Sequence, residues 1–124
     1  MNQEEFLNIL PKDTYKLAIK YKINNSWFIA VINNLSYAEK YGVMIRISHP
    51  MNLKTKYILC GAGFYKLSEF SEKITVLKSP SEHELEIWKK YYLEFHDNIV
   101  SDKGYDSCSE NLSFVKLWPE VEEK

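Results

Sequence analysis

Cysteine, histidine and glycine are all scarce in this sequence, and each shortage removes a class of chemistry. The two cysteines are Cys60 and Cys108. Cys60 closes the apolar run Tyr57-Ile58-Leu59-Cys60 and is expected in a core, whereas Cys108 sits in a polar segment and is expected at the surface. Met1-Asn2-Gln3-Glu4-Glu5 lacks the basic-then-apolar order of an export signal. Two such cysteines without a leader point to a reducing, cytoplasmic setting rather than a disulfide framework.

The three histidines are His49, His83 and His96. None stands at a zinc spacing with a Cys or carboxylate partner, and His83 and His96 diverge around one helix, so no metal is expected. Gly61-Ala62-Gly63-Phe64 lacks both the third glycine of a dinucleotide loop and the Gly-Lys-Ser/Thr of a P-loop, so no cofactor is expected. No Gly-x-Ser-x-Gly elbow occurs, and neither cysteine carries a protease signature.

Charge of one sign is lacking too. Sixteen basic residues balance seventeen acidic ones, for a formal net charge of −1. General nucleic-acid binding and a polybasic membrane anchor both need a positive excess that this chain does not have. No apolar run approaches the ~20 residues of a membrane-spanning helix. Fifteen of the sixteen basic residues are lysine, and Arg46 is the sole arginine.

What is present is ordinary globular material with a surplus of rings. The 124 residues, 45% hydrophobic and 15% aromatic, fit a single domain over 1–124. Aromatics fill cores, but they also make contact surfaces.

Local patterns then give the elements. Asn2 and Glu5 form a capping-box pair ahead of Phe6, Ile9 and Leu10, which predicts a short helix over 3–10 ended by Pro11. Tyr15, Leu17, Ile19, Tyr21 and Ile23 alternate with Lys16, Ala18, Lys20 and Lys22, which predicts a strand with a solvated lysine face. Asn24-Asn25 suits a tight hairpin turn. Trp27 to Ile32 is apolar on both faces and is expected at the centre of a sheet covered on both sides. Residues 35–41 read as a helical turn or ordered loop. A third strand starts at Val43 and is expected to end at His49-Pro50.

A fourth strand is expected over 56–65, bent at Gly61 and Gly63. A fifth covers 73–78. Ser79-Pro80-Ser81-Glu82 predicts a helix start with Ser79 as the cap. Leu85, Trp88, Tyr92 and Phe95 make one apolar stripe, giving a principal helix over 80–96. Residues 97–111, with Asp97, Asp102, Asp106 and Glu110, read as an acidic loop. A last strand is expected over 112–118 and a frayed tail over 119–124. The fold class is α+β: a small antiparallel sheet or partly open barrel of five to six strands, with one principal helix and a short N-terminal one.

Candidate site residues follow from residue type and position. Arg46 offers a guanidinium fork suited to an anion. His49 stands at a sheet rim, where a solvated loop histidine is the plain alternative. Gly61 and Gly63 bend a strand near Tyr65, where a ligand can approach a backbone. Tyr91 faces sideways on the main helix as a contact residue. Asp102 and Asp106 would present negative charge to a partner.

These features favour a small non-enzymatic intracellular protein that binds another macromolecule, most simply a protein, in the manner of an inhibitor, an immunity-type protein or a phage accessory protein. An alternative is a small-molecule binder for a nucleotide-like or other anionic ligand, using Arg46, Gly61, Gly63 and Tyr65 and forming a homo-oligomer. A small hydrolase built on His49 and a loop carboxylate is a third reading.

Overall fold

The computed structural model describes residues 1–12, 14–59, 61–103, 115, 117 and 118, with the backbone alone for 95–103. Helix α1 spans Gln3–Ile9, and its Asn2 cap accepts from the Glu5 N–H at 2.8 Å. Strand β1, Leu17–Ile23, turns back through Asn24 and Asn25 into β2, Ser26–Ala38. Both asparagines hold positive φ, 48° and 65°, as the two-residue hairpin turn requires.

Strand β3 spans Gly42–Asn52, and β4 spans Ala62–Lys66. Helix α2, Leu67–Lys73, follows without a break, then β5, Val76–Lys78, and helix α3, Glu82–Lys103. The five strands form an open antiparallel sheet in the order β4-β3-β2-β1-β5. The fold is therefore α+β, with helices on both faces of the sheet.

The central position of β2 explains its apolar run. Ala30 and Ile32 face one way, joining Leu17, Ile19, Ile45, Phe6, Leu67 and Phe70 in a core beneath α1 and α2. Ile29 and Val31 face the other way, joining Ala18, Met51, Ile58, Leu85, Trp88 and Tyr92 beneath α3. Side chains alternate along a strand, so a strand packed on both sides must be apolar throughout.

Several boundaries differ from the sequence expectation. The segment 35–38 continues β2 and pairs with β3, because Leu35 and Val43 pack on the first core. His49-Pro50 does not end β3. Ala30 faces both residues in a bulge, with His49 at φ 53°, and the strand resumes at Met51. Asn33 is a second extra residue, on β2, which restores the register.

Tyr57, Leu59 and Gly61 make backbone hydrogen bonds to β3, but the regular strand starts only at Ala62. The expected strand over 73–78 shrinks to three residues because α2, missed from the sequence, occupies 67–73. Helix α3 is capped by Ser81 rather than Ser79. The Ser81 Oγ accepts from the Glu84 N–H at 3.1 Å, and Glu84 accepts from the Ser81 N–H at 3.0 Å. The helix runs on through 97–103, part of the expected loop. Cys60, Cys108 and the remainder of the loop lie outside the described residues, as do most of the expected last strand and the tail.

Candidate functional site

The paired bulges bring buried polar groups together beneath α3. His49 is 2% exposed, which corrects the expectation of a solvated rim histidine. Its Nδ1 accepts from the Gly61 N–H at 2.9 Å, and its own N–H donates to the Gly61 carbonyl at 2.8 Å. The Trp88 Nε1 donates to the His49 carbonyl at 2.8 Å. The ring packs against Tyr92, with centroids 4.6 Å apart. Nearby, the Asn33 Nδ2 donates to the Ser48 hydroxyl. A ring this enclosed, with one nitrogen committed to a backbone amide, fixes the bulge and is not open to a substrate. Gly61 belongs to this node as well.

Arg46 and Tyr65, which the ligand reading places together, lie on opposite faces of the sheet. Tyr65 pairs with Ile45 and stacks on Phe70 beneath α2, with centroids 5.7 Å apart. Arg46 is offset by one residue, pairs with Phe64 and sets its guanidinium 5.6 Å over that ring. Tyr91 is partly buried and packs on the second core. Asp102 lies in α3, and Asp106 lies outside the described residues.

Two surfaces with chemistry of their own emerge instead. The first is an aromatic cavity of about 260 Å³ between α2 and the sheet, lined by Tyr21, Phe28, Tyr65 and Phe70 with Glu69 and Lys73 at its mouth. Gly63 permits this arrangement. A Cβ there would stand 2.6 Å from the Tyr65 hydroxyl, so the Tyr65 ring lies back across the bare glycine.

The second surface surrounds Trp27, on the opposite face, where α3 does not cover the end of the sheet. Trp27 sits directly opposite Lys22. The ammonium groups of Lys20, Lys22 and Lys78 lie 4.9, 5.6 and 4.9 Å from its ring centroid. Lys20 and Lys78 face each other across β1 and β5, a like-charge pair that destabilises a sheet. Lys20 is held by Glu84 at 2.6 Å. Burial alone would raise the Glu84 carboxyl, but hydrogen bonds from Lys20 and Ser81 outweigh it and hold the group below its ordinary range. Among the described residues Lys22 and Lys78 have no carboxylate partner. Beside Trp27 a depression of about 550 Å³ also takes in Asn25, Asn52 and Lys54.

Sequence reasoning missed both surfaces. The lysine alternation of β1 was visible, but Trp27 joins it only through the hairpin register. The solvated lysine face was half right, since α3 buries Ala18 and draws Lys20 to Glu84.

Among the described residues no three His, Cys, Asp or Glu side chains gather to hold a metal ion. None of the described helices is long and apolar enough to cross a membrane. Compared with known protein families, curated proteins and solved structures, the chain matches none.

Proposed function

We propose that this is a small non-enzymatic interaction protein that acts by holding another protein, and that the partner presents an acidic surface to the face around Trp27. The observation that carries this reading is the pair Lys22 and Lys78, which flank the Trp27 ring and have no carboxylate partner among the described residues. Glu84 neutralises Lys20 from within the fold, which leaves Lys22 and Lys78 as charges that an anion can meet from outside. Tryptophan is enriched among residues that dominate interface energetics, and flanking lysines speed and orient encounter with an acidic surface.

A protein partner suits this surface better than a nucleic acid. The cluster is small, and the whole chain is nearly neutral, which gives no extended track for a phosphate backbone. Holding or masking a partner, as an inhibitor or immunity-type protein does, needs a face rather than a reaction centre.

The test is capture from source-cell lysate on immobilised protein, comparing the native chain with Trp27→Ala and with Lys22→Glu/Lys78→Glu. The proposal requires one acidic polypeptide at a fixed stoichiometry, released by moderate salt and absent from both variants. The same proteins on all three columns would sink it. Retention of nucleic acid that nuclease removes would also sink it.

A further inference from the structure

We propose that the cavity between α2 and the sheet, on the face away from Trp27, binds a small uncharged aromatic molecule of one or two rings that hydrogen-bonds the Tyr21 hydroxyl.

Shape argues for rings. Tyr21 and Phe28 lie nearly parallel, with centroids 5.5 Å apart and 18° between planes. Phe70 stands at 66° to Tyr21 at 5.7 Å, and Tyr65 stacks on Phe70. These two ring pairs form a corner that offers both faces and edges to a guest ring, the geometries aromatic pairs prefer. The volume of about 260 Å³ exceeds the roughly 150 Å³ of an apolar cavity that takes benzene, so one substituted ring or two fused rings fit.

Polarity argues for an uncharged guest with one polar atom. Tyr21 is only 4% exposed and lines the cavity, and no described group hydrogen-bonds its hydroxyl. The hydroxyl is not among the enclosed polar atoms and opens to the cavity, where a guest acceptor can take its bond in place of water. Burial, helped by nearby Tyr65, pushes this phenol above its ordinary range, so it remains a neutral donor. At the mouth, Glu69 and Lys73 carry opposite charges one helical turn apart and favour neither sign of guest.

The experiment titrates the full chain with phenol and with indole, followed by NMR, with benzoate and benzylammonium as charged comparators. Saturable shifts centred on Tyr21, Tyr65 and Phe70 are expected for phenol and indole and not for the charged pair. Tyr21→Phe should bind phenol about fivefold more weakly, the effect of one neutral hydrogen bond. Three results would overturn the assignment: no saturation with either neutral probe, equal binding of the charged comparators, or a Tyr21→Phe variant unchanged in affinity.

Discussion

Replacing His49 by alanine should unfold the protein easily, although a histidine before a proline at a strand end looks like a dispensable surface residue. Three losses combine. The Gly61 N–H gives up its 2.9 Å acceptor, which costs about 1 kcal/mol at a part-buried site. The ring leaves Tyr92, 4.6 Å away, for about another 1 kcal/mol beyond the buried area. Deleting a ring that is 2% exposed then leaves a cavity, for about another 1 kcal/mol or more, while the strain of φ 53° is borne by histidine and alanine alike. The sum is about 3 kcal/mol, a large share of the ~5–15 kcal/mol that holds a domain together. At ~4 °C per kcal/mol, the melting temperature should fall by roughly 12 °C. His49→Gly separates the terms, because glycine accepts positive φ and should lie between the native chain and the alanine variant. Thermal and urea unfolding followed by circular dichroism read both values. An alanine variant within about 0.5 kcal/mol of native, the range of surface substitutions, would refute the buried bulge. An alanine variant more stable than the glycine one would refute the left-handed backbone.

Three further outcomes follow from separate parts of the fold. Because the Glu84 carboxyl is held below its ordinary value, its cap and its Lys20 pair stabilise the fold above the usual carboxylate range. That stability is lost as pH falls through the lowered value, and urea titrations should show Glu84→Gln flattening this acid limb. Gly63→Ala should swing the flexible Tyr65 ring away, costing less than ~1 kcal/mol on unfolding yet abolishing phenol binding in the cavity. Asn25→Gly places the preferred residue at the second central position of the β1–β2 turn and should add about 0.5 kcal/mol; a loss in melting temperature would contradict the positive φ assigned there.

Much of the architecture was legible because period and burial agree locally. The alternation from Leu17 to Ile23, the two-sided apolar run from Ile29 to Ile32, and the Leu85, Trp88 and Tyr92 stripe each report one packed surface. The misses have physical causes. Ser79-Pro80 mimics a helix start so well that it hid the true capping box two residues on, where Ser81 and Glu84 bond reciprocally. Leu67, Phe70, Ser71 and Ile74 have helical spacing, yet the adjacent strand-like run Ile74 to Leu77 blurred it.

His49 was misread because a bulge is a property of two paired strands, and no single segment encodes it. The candidate site was least legible for the same reason. Tyr21, Phe28, Tyr65 and Phe70 come from four elements, and only Tyr65 drew attention by itself. Trp27 meets Lys78 only when β5 joins the edge of β1.

The docking claim is tested most directly by photocrosslinking in the source cell, with a benzophenone amino acid placed in turn at Lys22, Lys54 and, on the other face, Glu72. The account predicts one acidic polypeptide joined through positions 22 and 54 and none through 72. Crosslinks that arise equally at all three positions, or only at 72, would contradict it.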